Sequence, residues 1–288
     1  MPRAEVVTPA LLRAWPLPEP DDDGSKHDRG TVLLVGGSAS TPGAVLLAGL
    51  AALRAGAGRL QVATVASTAV ALAVAMPEAM VSGLPEAAGG SLEPGCAEQV
   101  VASCDGAAAL VVGPGLTGKD EARELLRRVL PEVAEGSVLV DAVALAALGG
   151  HPDLLAGLAG RLVLTPNAGE TKALLAGEQR EGVDAACWLA ERYGAVVAVK
   201  GCVAAPDGRT WHDEAGGVGL GTSGSGDVRA GAVGGLLARG CPPEQAAVWG
   251  QYLHAAAGDR LAARIGRIGF LARELLDELP PVLAGLRA

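Results

Sequence analysis

Six short runs dominated by Val, Leu and Ala recur along the chain, and most are closed by glycine or a polar residue. They are TVLLVGG (31–37), RLQVATV (59–65), AALVVGPG (108–115), GSVLVDAVAL (136–145), RLVLTPN (161–167) and AVVAVKG (195–201). Polar residues do not alternate through these runs, so strands built from them must be covered on both faces. Helix-forming stretches follow: 43–56 closed by Gly56, the amphipathic KDEARELLRRVL at 119–130, Ala168 to Leu175, and VDAACWLAERYG at 183–194. This β-then-α order predicts a mostly parallel sheet between two helical layers. CVAAPDGRTWHD (202–213) predicts a hairpin turning on Asp207 and Gly208. Three helices, 227–239, 243–263 and about 269–279, finish the chain.

No proline-rich or charged linker follows residue 30, and 288 residues suit one large α/β domain. Residues 1–25 read as an N-terminal extension and 26–288 as the domain. In the extension, TPALLRAW predicts a short helix capped by Thr8 with Pro9 at its first position. Pro16, Pro18, Pro20 and the run Asp21, Asp22, Asp23 would end it.

The 42 glycines, roughly twice the usual ~7%, have no Gly-X-Y period, which assigns them to turns and binding loops rather than collagen. Asp plus Glu outnumber Lys plus Arg by 32 to 23, a net charge of -9. That balance disfavours nucleic acid and anionic membranes as partners. It leaves open a phosphorylated metabolite held by backbone amides. The longest early apolar run, 43–53, reaches only ~16 Å as a helix, too short for a membrane span. The N-terminus lacks the apolar segment of a signal peptide. Five cysteines without a CxxC pair read as reduced thiols, which predicts a cytoplasmic protein.

Ligands of such sheets bind outside the C-terminal ends of the strands. Gly36, Gly37 and Ser38, then Gly113, Pro114 and Gly115, Asp141, Thr165 to Asn167, and Lys200 with Gly201 all gather there. The turn at 36–44 is neither GxGxxG nor a P-loop; it reads as tight strand–helix packing or as a backbone wall against a polar ligand. GLGTSGSGDVRAGAVGGLLARG (219–240) is the strongest local signal. Gly224, Ser225 and Gly226 lead into a long helix whose first amides can hold a phosphate. Asp227 reads as a cap or as a base toward a substrate hydroxyl, and the helix dipole is expected to pull its pKa down. Asn167 and Glu170 read as a capping box or as a water-mediated Mg²⁺ site. Asp141 reads equally as a catalytic or Mg²⁺-positioning residue and as a loop hydrogen-bond partner. The four histidines lack metal-site spacing, and His254 reads as a core or helix-face residue. Neither Ser38 nor Ser225 sits in GxSxG, which argues against a serine hydrolase.

Taken in order, KHDRGTVLLVGGS (26–38), GA (43–44), GPGL (113–116), DAVAL (141–145), LTPNAGE (164–170), VKG (199–201) and GTSGSGD (221–227) resemble the ADP/ATP-dependent (S)-NAD(P)H-hydrate dehydratase family of the ribokinase-like superfamily. Val143 stands where that family's DADAL has a second Asp, Asn167 where LTPHxGE has His, and Ala204 where KGxxT has Thr. Asn167 gives the N-x-x-E pattern of ribokinase-like kinases, and TPNAGE is similar to hydroxyethylthiazole kinase. The resemblance implies a ribokinase-like three-layer α/β/α domain with a mostly parallel central sheet. It implies Mg²⁺-assisted phosphorylation of the ring hydroxyl of (S)-NADHX or (S)-NADPHX by ADP or ATP, then loss of phosphate to restore NADH or NADPH. By the same resemblance Ala44, Gly115, Asn167 and Asp227 match substrate-contacting positions, with Asp227 taking the hydroxyl proton. Lys200, Gly201, Cys202, Val203 and Ala204, with Gly224, Ser225 and Gly226, match the nucleotide region. A homo-oligomer, with a tetramer as one option for its number, and functional pairing with an NAD(P)H-hydrate epimerase are further implications. The runner-up readings are a ribokinase-like kinase of a vitamin precursor or sugar, and a weakened nucleotide-binding homologue.

Overall fold

A computed structural model describes residues 4–19 and 25–287; Pro20 and the three aspartates expected to end the first helix lie outside the described residues. Ten strands form one sheet: β1 (Glu5–Val6), β2 (Thr31–Val35), β3 (Arg59–Val65), β4 (Ala79–Leu84), β5 (Ala109–Val112), β6 (Ser137–Val140), β7 (Leu162–Leu164), β8 (Val196–Val199), β9 (Cys202–Ala204) and β10 (Thr210–His212). Their order is β1-β10-β9-β8-β7-β6-β5-β2-β3-β4. The six strands expected from the sequence are β2, β3, β5, β6, β7 and β8, and every pairing among them is parallel. The expected hairpin is β9 with β10, antiparallel to each other, and β9 also runs antiparallel to β8.

The helices are α1 (Pro9–Ala14), α2 (Pro42–Arg54), α3 (Ala66–Ala75), α4 (Ala97–Cys104), α5 (Lys119–Val129), α6 (Ala142–Leu148), α7 (Ala168–Leu175), α8 (Gly182–Tyr193), α9 (Ser225–Ala238), α10 (Pro243–Arg264) and α11 (Ala272–Arg287). Successive strand residues feed opposite cores, as the two-residue strand period requires. Val32 and Leu34 join a core with α1, α2, α3, α9, α10 and α11, while Leu33 and Val35 join one with α4 to α8. This is the ribokinase-like three-layer α/β/α architecture with a mostly parallel central sheet. No helix among the described residues is long and apolar enough to cross a membrane.

Two strands lack a long unbroken apolar run. β4 is an edge strand with a half-exposed sequence, AMVSGL, and β1 has only two exposed residues. The segment set apart by sequence as an extension packs closely. Thr8 Oγ1 caps α1 by accepting from Leu11 N at 3.2 Å, Leu12 is fully buried, and Trp249 Nε1 donates to the Trp15 carbonyl at 2.9 Å. α11 runs through Pro280 and Pro281 instead of stopping near 279. Burial of Leu279, Val282, Leu283 and Leu286 compensates for the backbone bonds those prolines forgo.

α9 is the most enclosed helix; its residues from Val228 to Ala238 are all buried. Glycine makes this possible. A Cβ on Gly231 would stand 2.0 Å from the Ala48 carbonyl oxygen of α2, and one on Gly235 would stand 2.4 Å from that of Ala52. Gly231→Ala therefore forces backbone against backbone. It should destabilise the fold by about 1–3 kcal/mol, despite alanine's better helix propensity. Thermal and urea unfolding of the variant would check this, and parental stability would show that α9 does not depend on the close approach.

Candidate active site

The sheet order places β2 between β3 and β5, so the chain winds outward in both directions from the β2–β5 junction. Crevices at such a junction are where open α/β sheets bind ligands. The loops after β2 and β5 are stitched together there: Gly37 N donates to the Pro114 carbonyl at 2.8 Å, and Thr41 Oγ1 donates to the Gly115 carbonyl at 2.7 Å. Gly115 has φ +71, and a Cβ on it would lie 2.9 Å from the Ala44 Cβ and 2.6 Å from the Thr41 carbonyl oxygen. Ala44 and Gly115 thus form one wall of small groups, although they come from loops far apart in sequence.

A cleft of about 600 Å³ opens past the C-terminal ends of β7 and β8; its lining includes Asn167, Lys200, Gly201, Ser225 and Gly226, but not Ala44, Gly115 or Asp227. Gly224 takes φ +86 to start α9, leaving the helix without a side-chain cap. Ser225 N donates to the Thr222 carbonyl at 3.2 Å, whereas the Gly226 and Asp227 amides find no acceptor among the described residues. Free first-turn amides with the positive end of a helix dipole form an anion site.

Not every expected position reaches the cleft. Cys202, Val203 and Ala204 are strand β9, with side chains 4%, 2% and 0% exposed. Asn167 and Glu170 make a complete capping box. Asn167 Oδ1 accepts from Gly169 N at 2.9 Å and Glu170 N at 3.0 Å, while Glu170 Oε2 accepts from Asn167 N at 2.8 Å. Glu170 Oε1 accepts from Asn167 Nδ2 at 2.6 Å. Of the two readings the pair allowed, the cap is the one the geometry displays. Among the described residues no three His, Cys, Asp or Glu side chains converge as a metal cage.

The carboxylates interact. Burial, and next the Glu170 charge, push Asp227 from 3.8 up to about 6. This is opposite in direction to the shift expected from the helix dipole, and burial, which disfavours the charged form, is its largest cause. Asp141, 4% exposed, accepts from Thr165 Oγ1 at 2.7 Å. Burial pushes it up to about 7, against the pull of Arg229 and with help from Glu170 and Asp227. Its neighbour Ala142 is held at φ +53, a strained conformation for a residue with a Cβ, directly beside this cluster.

Beneath the glycine loop lie residues that sequence reading passed over. His254, read as a core residue, is buried and pairs its Nε2 with Ser225 Oγ at 2.7 Å. Burial, then Arg229, push its imidazole down to about 3, so the ring is neutral. Arg229, Gln251 and Asp213 also line the cleft. The available signals were a lone cation inside the apolar run DVRAGAVGGLL and a Gln-x-x-His pair on one face of α10.

The profile of the family described as NAD(P)H-hydrate dehydratase matches residues 32–281. An ADP-dependent (S)-NAD(P)H-hydrate dehydratase of Xanthomonas campestris pv. campestris is 48% identical over 292 residues, spanning 98% of this chain and 97% of its own. A bifunctional NAD(P)H-hydrate repair enzyme Nnr of Moorella thermoacetica is 38% identical over 286 residues; the match takes in 96% of this chain and 54% of that relative, about half its length. The solved ADP/ATP-dependent NAD(P)H-hydrate dehydratase of Bacillus subtilis, co-crystallised with ATP and Mg²⁺, superposes with a TM-score of 0.81 at 27% identity, covering 99% of this chain and 100% of the other.

Raised carboxyl pKa values fix how stability should vary with pH. Asp141, Asp213 and Asp227 hold protons more tightly folded than unfolded, with folded values of about 7, 6 and 6 against 3.8. Between those limits the native state binds more protons at these carboxyls, so their contribution falls as pH rises; His254, pushed down from 6.5 to about 3, acts in the opposite direction below about pH 6.5, but the three carboxyls together outweigh it. The ligand-free protein should therefore melt at a higher temperature near about pH 5 than near about pH 8. Asp141→Asn, which retains an acceptor for Thr165, should flatten that slope. A melting temperature that climbs steadily over the same window would contradict this account.

Proposed function

The chain belongs to the NAD(P)H-hydrate dehydratase family, and from that premise we propose that it repairs (S)-NADHX and (S)-NADPHX by nucleotide-dependent dehydration. The observation that carries the reading is Asp227, a half-buried carboxylate with its pKa lifted to about 6, at the start of a helix with unused amides. A base near this value is mostly ionised at neutral pH yet accepts a proton far better than an ordinary aspartate.

Asp227 takes the proton of the ring hydroxyl as the hydroxyl oxygen attacks the terminal phosphorus of ADP or ATP, whose bridging P–O bond breaks with its electron pair leaving on AMP or ADP. The Gly226 and Asp227 amides accept the charge of the transferred phosphoryl group. The C–O bond then breaks with its electron pair leaving on phosphate, the ring nitrogen pushes electrons toward the vacated carbon, and the adjacent ring carbon gives up a proton to water as the double bond re-forms. Phosphorylation matters because hydroxide leaves poorly and phosphate leaves readily. Ala44, Gly115 and Asn167 are assigned to the nicotinamide side. Lys200, Gly201, Ser225 and Gly226 are assigned to the nucleotide, with Gly224 setting the turn and Cys202, Val203 and Ala204 supporting the wall as strand β9.

The carboxylate Glu170, beside Asn167, suits a Mg²⁺ that keeps its water shell and is held mainly by phosphates, since no protein cage is present among the described residues. When bound, Mg²⁺ would offset the charge of the polyphosphate. The all-free cysteines, none of them exposed, support a reducing, cytoplasmic setting. The bifunctional relatives support a functional partnership with an epimerase that supplies the S epimer. From the family resemblance alone, we propose a homo-oligomer as the working form.

The test is an assay on (S)-NADHX with ADP or ATP, following recovery of reduced-nicotinamide absorbance and release of phosphate. A phosphorylated product that accumulates without yielding NADH would favour a kinase instead. Asp227→Asn should remain folded and bind both ligands but turn over ~10²–10⁴-fold more slowly. The parent's single-turnover rate should rise with pH through about 6 and level off above it, because the base works only when deprotonated. Near-parental turnover by Asp227→Asn would remove the base assignment.

A further inference from the structure

Arg229 is 9% exposed, lines the cleft, and sits two residues beyond Asp227 in α9. Its guanidinium has only neutral partners. One terminal nitrogen donates to the Thr165 carbonyl at 2.5 Å and the other to Gln251 Oε1 at 3.4 Å, a long contact. Its Nε is buried without any acceptor. Among the described residues it forms no ion pair. Asp141 and Glu170 act on it only through space, and both are themselves held above the usual carboxylate range.

A buried cation so incompletely matched is costly in the empty protein. Unsatisfied buried donors call for an explanation, and a polar ligand is one. Gly226, whose amide has no acceptor among the described residues, lines the same cleft as Arg229, so two sources of positive potential border one cleft. The remaining cation on the lining, Lys200, is exposed. His254 is neutral, and Asp213 and Glu214 add negative charge along the wall. Without Arg229 the floor of the cleft would present no permanent cation.

We propose that Arg229 is a further ligand-binding residue: a fixed, desolvated cation beneath the glycine loop that recognises the polyphosphate of the nucleotide and discriminates it from the uncharged nucleoside. The proposal rests on the nucleotide reading of the cleft given above. Charge acts here over distance in a medium poorer in water than the surface, so no direct contact with phosphate is required. The same low-dielectric setting explains why a surface lysine cannot substitute for it.

The experiment compares ADP with adenosine by calorimetry on the full chain, for the parent, Arg229→Met and Arg229→Lys, with melting temperatures recorded for each. Met should weaken ADP roughly 10- to 100-fold, the scale of a unit charge acting across a poorly solvated cleft, while adenosine changes less than about threefold. Lys should keep the ADP preference within about fivefold of the parent. A purely structural Arg229 would move both ligands together. A Met variant with the parental ADP-to-adenosine ratio therefore overturns the proposal. Should the Met variant not fold, Lys decides: a retained preference supports the proposal, and collapse to the adenosine level defeats it. A parent that binds neither ligand removes the nucleotide reading itself, and this inference with it.

Discussion

The close approach of α9 to α2 is the contact on which the rest of the molecule depends. Gly231 and Gly235 let the two backbones meet with no side chain between them. That proximity presses α9 against β5 as well, where Gly234 faces Val111. A helix fixed on all sides has no freedom at its N-terminus. Asp227 and the open amides of the first turn are therefore held relative to the strand ends, where the wall of Ala44 and Gly115 is also anchored. Preorganisation of this kind lets oriented dipoles stabilise developing charge without first rearranging.

A protein of net charge -9 that handles polyphosphates has to place its positive potential locally. Here that potential comes from backbone amides, the end of a helix dipole and one buried guanidinium. The surrounding carboxylates are not simply an obstacle. Glu170 and Asp227 raise Asp141, and Glu170 raises Asp227, so part of the negative charge is relinquished as protons near neutral pH. The arrangement strains the empty protein, which holds Ala142 at positive φ and Arg229 Nε without a partner beside these groups. Concentration of strain and unsatisfied polarity in one place is the usual mark of a site shaped for a ligand.

Asn167 illustrates how one residue type can serve local structure and leave its wider role to context. It replaces the histidine of the related pattern, and its side chain is engaged in the capping box of α7. The amide neither titrates nor swings freely, so any contribution it makes to a substrate is geometric. His254, the imidazole paired with Ser225 under the glycine loop, is buried and neutral, which is consistent with the acid–base role proposed for a carboxylate.

Local chemistry made much of this readable from the sequence. Apolar runs without alternation announced the six parallel strands, Asp207 and Gly208 announced the hairpin, Thr8 announced its cap, and the ordered motifs announced the family. Edge strands β1 and β4 were silent because one has only two residues and the other breaks its apolar run at Ser82 and Gly83. Tertiary structure decided that α11 continues through Pro280 and Pro281, that Cys202 to Ala204 turn into the sheet, and that Asp227 is raised rather than lowered. It also decided that Arg229, a lone cation in an apolar helix, ends beneath the cleft. The division has one physical cause. Periodicity, capping and turns are set by neighbours within a few residues, whereas burial and electrostatic potential sum over segments that only the folded chain brings together.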